Sequence, residues 1–286
     1  MLRSILTFTV LAAFACPAIA RPPAQHHRAA RHDPSDARSQ AQAPAASADC
    51  STFYVGGQAP TSAAPAAPPL RIFCHSFYSV GYSTALRDPL WSAEHLTRAM
   101  AIGGDKTKRI KSIKFARQPG LTPAEEGAHA DYKRPWDRGH MTPANDAENE
   151  ATQRDTFVVT NIVPQHANLN ERLWQYLEAS VHRLAEDDGE MYIVTGPVFD
   201  GAPTLMSGRI AIPAATFKAI YDPSKNVAIA YIATNEASPQ CRVVAVAEVT
   251  KETGIDPFPA LPADAKAAAP SFPLPKAATV PLPDCR

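Results

Sequence analysis

The stretch from Leu169 to Leu184 constrains the fold more than any other. Apolar residues fall at Leu169, Leu173, Leu177, Val181 and Leu184. Steps of four and three lie along one helical face, so this segment is predicted as a helix with that face in a core. Asn170, Trp174, Glu178 and His182 form a second stripe spaced by four, displaced by one residue, about 100° around the axis. Asn170 and Glu178 therefore share one edge beside the buried face, a rigid, half-buried platform for polar chemistry.

The helix must pack against something, and the remaining apolar runs read as strands. Ile72, Cys74, Tyr78, Val80 and Tyr82 share one parity, as the buried face of a strand would. Phe73 and Phe77 lie on the other parity, so both faces are covered. Phe157–Thr160 reads as a buried strand. Met191–Thr195, Phe217–Tyr221, Val227–Thr234 and Val243–Val249 are further β-rich runs. Ala93–Met100 suits a short strand or helix, and 101–136 is loop-like and basic. Eight prolines from Pro257 to Pro283 exclude a regular helix or central strand there. The layout is α+β, with several antiparallel strands and a few helices in a domain spanning 50–286. No internal repeat is visible.

The first twenty residues read as a signal peptide, with Arg3 before the apolar run Ile5–Phe14. Ala18-Ile19-Ala20 is a small-residue cleavage site ahead of Arg21. A lipoprotein site at Cys16 is the alternative. Residues 21–49 are rich in Ala, Pro, Arg, His and Gln and read as a disordered linker, with His26, His27 and His32 solvated. The expected location is periplasmic or secreted, and no other segment reaches the length of a membrane helix. Cleavage leaves Cys50, Cys74, Cys241 and Cys285, an even number that suggests two disulfides. Three pairings are open. Cys50–Cys74 with Cys241–Cys285 is favoured, because each bridge closes a Pro- and Ala-rich loop with little core of its own.

The chemistry gathers around Asp137-Arg138-Gly139-His140. A histidine, an arginine, an amide and a carboxylate together can hold one hydrated divalent ion against a phosphodiester and deprotonate a neighbouring water. Imidazole is neutral near working pH, which makes His140 the expected general base. Alone it would read as a loop histidine. Asn170 offers a hard, neutral oxygen suited to magnesium, which keeps several waters and takes few protein ligands. Alone it would read as a helix-terminal residue making a local hydrogen bond. Arg138 has the geometry to grip two phosphate oxygens. Asp137 orients the loop, and Gly139 permits a tight turn between its neighbours.

Net charge is zero, with 28 basic and 28 acidic residues, so nothing global attracts a polyanion. Locally the balance shifts. Between Asp105 and Arg138 stand nine basic residues against five acidic, either a solvated loop or a phosphate-tracking patch that carries no base information. The sequence has no Gly-x-Ser-x-Gly elbow, phosphate-binding glycine loop, recognition helix or zinc-type cysteine pairing.

With Asn161-Ile-Val-Pro-Gln165, Asn168-Leu-Asn170, Trp174 and Leu177-Glu178 at these distances, the chain resembles the DNA/RNA non-specific endonucleases of the ββα-metal class. The likeness runs from about Cys74 to Pro259. It implies a ββα-metal motif with His140 as base and Asn170 as metal ligand. Glu178 would accept hydrogen bonds from metal-bound water, and Asn161 would hold His140 or the phosphate site. It also implies magnesium, with manganese able to substitute, DNA and RNA as substrates, and 5′-phosphate products. The sequence departs from the pattern at two places. Several relatives carry an arginine where His182 stands, a role histidine could fill only when protonated. This predicts weaker activity at alkaline pH than a His182→Arg variant shows. The upstream basic residue of the family is matched by Arg109, Lys111, Lys114 or Arg117, with no means of choosing. The alternatives to a nuclease are a degenerate nucleic-acid-binding module and a phosphodiesterase for another ester.

Overall fold

A computed structural model describes residues 49–62, 69–268 and 285. The proposed leader, Cys16, nearly all of the linker and most of the Pro-rich tail lie outside the described residues.

The strands in chain order are β1 (Thr61–Ser62), β2 (Arg71–Cys74), β3 (Tyr78–Ser83), β4 (Asp88–Thr97), β5 (Trp136–His140), β6 (Ile162–His166) and β7 (Glu190–Val198). They continue with β8 (Leu205–Met206), β9 (Ile210–Ala211), β10 (Ala215–Asp222), β11 (Val227–Thr234), β12 (Cys241–Val244) and β13 (Ile255–Asp256). Seven form one sheet in the order β12-β11-β10-β7-β4-β3-β2, every pair antiparallel. The fold is α+β, as the residue patterns predicted.

Period-2 alternation divides the core in two. Val194, Phe217, Ala219, Ala230 and Ile232 face one side, against α4 (Val246–Thr253). Leu96, Ile193, Ile220, Ile229 and Tyr231 face the other, against the helix that carries the Leu169–Leu184 stripe. All five stripe residues are buried. With both faces covered, the central strands are almost continuously apolar.

Three expectations need correction. Phe157–Thr160 is no strand. Val159–Asn161 is a 3-10 turn and β6 begins at Ile162. Phe157 and Val158 are buried because they pack behind the site, with the Val159 amide donating to the Ala116 carbonyl. The Val243–Val249 run splits into β12 and α4, since Val246 and Val249 lie three apart on one helical face. Gly254, with φ of 72°, then ends α4 in a left-handed cap. Ile72 is 49% exposed, whereas Phe73 is buried. The register pairs Phe73 with Val80, so the inward parity changes across the turn between β2 and β3.

Both favoured disulfides are formed, Cys50–Cys74 and Cys241–Cys285. A short helix, α5 (Ala263–Ala267), fits between the prolines. No described helix is long and apolar enough to cross a membrane.

Candidate active site

Strands β5 and β6 form an antiparallel hairpin away from the main sheet, with His140 opposite Ile162 and Asp137 opposite Gln165. The chain between them forms the helix α2 (Glu150–Asp155). After β6 a helix begins with a wide π turn, Leu169–Trp174, and continues as α3 (Gln175–Asp188). Helix α1 (Arg98–Lys106) packs beside α3. Hairpin and helix enclose an open cleft of about 780 Å³, lined by Arg109, Arg138, His140, Asn170, Glu178 and His182 among others.

His140 sits at the end of β5 rather than in a loop. Its ring is 8% exposed and packed by Phe115 at 5.1 Å and Phe157 at 5.0 Å between centroids. Nε2 is buried without a hydrogen-bond partner among the described residues. Burial, reinforced by the Arg109 charge, pushes the imidazole down to about 3. The free protein therefore holds the ring neutral, the state a proton acceptor needs.

Gly139 is extended strand, not the tight turn expected from sequence. Its glycine is required by close approach: an added Cβ would lie 2.4 Å from Gln165 Oε1 and 2.5 Å from Gln165 Cβ. Asn161 is fully buried. Its amide oxygen accepts from the Thr142 amide at 3.0 Å, and its nitrogen donates to the carbonyls of Thr142 at 2.9 Å and Thr156 at 3.1 Å. Its backbone carbonyl accepts from Met141 at 2.9 Å. Asn161 thus staples the chain directly after His140 and does not line the cleft.

Asn170 and Asp137 meet across the hairpin–helix junction. Asn170 Nδ2 donates to Asp137 Oδ2 at 3.1 Å, which leaves the amide oxygen as the end turned to the cleft. Arg134 lies 3.7 Å from the same carboxylate. Arg138 donates through Nε (3.2 Å) and Nη2 (2.7 Å) to the His129 carbonyl, and its guanidinium lies 5.6 Å over the Tyr132 ring. That edge is thereby taken, and the end-on edge is the one available to phosphate.

Glu178 is pushed up to about 7, first by burial. The Lys218 charge opposes this, the Asp146 carboxylate adds to it, and the Arg109 charge opposes it. Lys218 is itself buried, donating from Nζ to Thr195 Oγ1 at 2.7 Å and lying 5.6 Å from the Trp174 ring centroid. Ser92, Glu94, Thr195 and Lys218 are all buried and share the sheet face that carries Leu96, Ile193 and Ile220. A polar cradle thus lies beneath the helix. The sequence signal for it was a lysine on the inward parity of β10 and a glutamate on that of β4. Asp146 left no such signal.

Of the four upstream basic candidates, Arg109 is the one that lines the cleft, with its guanidinium 5.3 Å over the Phe157 ring. Arg117 instead donates to Glu126. His182 is committed on both sides: Nδ1 bonds Asp146 at 2.6 Å and Nε2 faces the Ala101 carbonyl at 3.1 Å. Burial opposes its charge, but the hydrogen bond and charge of Asp146, helped by Asp105, raise it to about 9. Histidine here is charged through neutrality yet held by a carboxylate. The protonated state that the arginine's role would require is therefore held here by a carboxylate partner.

The donor set fits a hard divalent cation. Asp137 fixes the Asn170 amide with its oxygen toward the cleft, and the Glu178 carboxylate, made costly to ionise by burial, gains from a nearby positive charge.

A strand-borne histidine thus lines one cleft with a helix-borne amide and carboxylate, all set on one hairpin–helix unit. The chain belongs to the DNA/RNA non-specific endonuclease family, whose family model matches residues 62–264. It is 30% identical over 205 residues to a zebrafish (Danio rerio) protein named mitochondrial nuclease EXOG, covering 64% of this chain and 59% of that one. It therefore spans about three fifths of that relative's length. It is 29% identical over 213 residues to a nuclease of Serratia marcescens, covering 68% of this chain and 78% of that one. Among solved structures, EndoG in its complex with EndoGI matches with a TM-score of 0.56 at 23% identity, covering 65% of this chain and 86% of that one. That likeness supports the fold.

Proposed function

We propose that the protein is a magnesium-dependent endonuclease that hydrolyses phosphodiester bonds in DNA and RNA with little sequence preference. The observation that carries this reading is the Asn170–Asp137 hydrogen bond, which turns an amide oxygen into the cleft that His140 also lines. Magnesium at Asn170, replaceable by manganese, would supply positive charge against the phosphate and ease departure of the leaving oxygen. His140 accepts the proton of the water that attacks phosphorus. Arg138 and Arg109 bind the phosphate and balance its developing charge. As Arg109 takes phosphate, one of the two causes that hold His140 low is cancelled, so the ring becomes a better base when substrate is seated. Glu178 orients water in the cleft. Asp137 fixes the amide, and Asn161 fixes the chain behind His140. The expected products end in 5′-phosphate.

Two disulfides and the leader-like first twenty residues support an exported protein, periplasmic or secreted. The test is a digest of supercoiled plasmid and of structured RNA, with magnesium and then with chelator. Cleavage of both that stops with chelator supports the reading. Retention of nucleic acid without cleavage would favour a binding module, and activity confined to small phosphate esters would favour a different phosphodiesterase.

A further inference from the structure

The cleft has two unlike walls. Arg109, Arg138 and His140 line one part, and Asp105, Asp146, His182 and Glu186 line another. Of the second group only Asp146 touches the chemistry above, through its effect on Glu178. It would repel a polyanion unless neutralised.

Asp105 lies in the last turn of helix α1, while His182 and Glu186 lie one turn apart on α3. One donor atom from each lies within 4.8 Å of the other two. His182 Nε2 is 3.5 Å from Asp105 Oδ1. Two further observations make this more than a chance meeting of acidic side chains. First, the imidazole is oriented: Nδ1 is bound to the buried Asp146 at 2.6 Å, which leaves Nε2, bonded to the Ala101 carbonyl at 3.1 Å, on the side of Asp105. A carboxylate behind one ring nitrogen is the support that metal-binding histidines use. Second, α1 is pressed against the turn that carries Asp146. A Cβ on Gly104 would meet the Asn145 carbonyl oxygen at 2.0 Å and His182 Cε1 at 3.1 Å. Only glycine lets the end of α1 sit against the backbone at Asn145, which places Asp105 beside His182.

We infer that Asp105, His182 and Glu186 form a second cation site, distinct from Asn170, that takes a transition metal of the zinc class. One imidazole nitrogen and two carboxylates suit zinc, cobalt or manganese, whereas magnesium favours oxygen-only sites with retained water. Binding releases the Nε2 proton, now directed at the Ala101 carbonyl, to solvent. Glu186 also pairs with Arg183 at 2.8 Å and supplies a single oxygen. Asp105 is 65% exposed at its side chain and Glu186 only 13%, so the site opens to solvent on the Asp105 side.

The test uses the full chain in excess magnesium, which occupies the Asn170 site, with zinc titrated by calorimetry and cobalt by its visible absorption. One zinc per chain is expected, with cobalt showing bands of a nitrogen-containing site. Asp105→Asn and the near-isosteric Glu186→Gln should each weaken zinc by at least about tenfold. Asn170→Ala should leave zinc binding intact while removing cleavage, so this inference and the proposed nuclease activity fail independently. No zinc binding in magnesium, or binding that ignores Asp105 and Glu186, overturns the second site and leaves these residues as an ion-pair network.

Discussion

Asn170 Nδ2 and Asp137 Oδ2 stand 3.1 Å apart, linking the first turn of the helix to the strand that carries His140. The bond decides which end of the amide faces the cleft. Asp137→Ala should release the amide to rotate and weaken magnesium by about 10–100-fold, with turnover falling alongside. Asp137→Asn keeps an acceptor but no charge, and should be milder. Magnesium dependence of the rate in both variants checks this.

Glu178, raised to about 7, makes the cation site pH-sensitive. A raised carboxyl is protonated below that value and carries charge above it. Magnesium affinity should therefore fall as the pH drops through about 7 and level off above. Glu178→Gln should be weaker overall and nearly flat across the same range. Magnesium titrations below and above neutrality measure both slopes.

The His182–Asp146 pair has the opposite sign. The folded value, about 9, lies above the ordinary histidine value of 6.5. Its contribution to stability is full below the ordinary value and is lost as pH rises through about 9. Thermal midpoints should decline across that window in the wild type and less steeply in His182→Gln. Any alkaline loss of activity traceable to His182 should likewise appear only near the upper end. Parallel melting curves in mildly acidic and alkaline buffer test the slope.

Gly139→Ala forces a Cβ to within 2.5 Å of Gln165 Cβ. This overpacking should cost about 1–3 kcal/mol and displace the strand that bears His140. Urea denaturation reads the loss, and Gln165→Ala in the same chain should recover part of it.

Arg109 and Arg117 are eight residues apart in one basic segment but should behave differently. Arg109→Ala should lower turnover by about 10²-fold, as expected for removing a group that stabilises developing charge. Arg117→Ala, which breaks a pair with Glu126, should leave turnover little changed and act on stability instead. Steady-state rates and melting curves on the two variants separate these outcomes.

The sequence revealed most about this molecule where periodicity and chemistry coincide. The Leu169 stripe fixed a helix face, and Asn170, Glu178 and His182 do line one cleft with His140. Both favoured disulfides followed from which loops lacked a core. The π turn at Leu169–Trp174 was hidden, because a wide turn leaves the same apolar spacing. Val246 and Val249 suited a strand by composition and a helix by spacing, and packing on the sheet decided for the helix. Arg109 could not be told from its basic neighbours, since an irregular segment has no period to orient side chains. Asp146 was invisible for the same reason, although it sets the charge of His182.

The central claim is that the His140 ring removes the proton in the cleft framed by Asn170. The most direct measurement is single-turnover cleavage of a defined duplex by His140→Ala in saturating magnesium, with melting temperature and DNA binding measured on the same sample. The account predicts a rate lower by at least about 10²-fold with fold and binding retained. A rate near that of the wild type, in protein free of host nuclease, would contradict it.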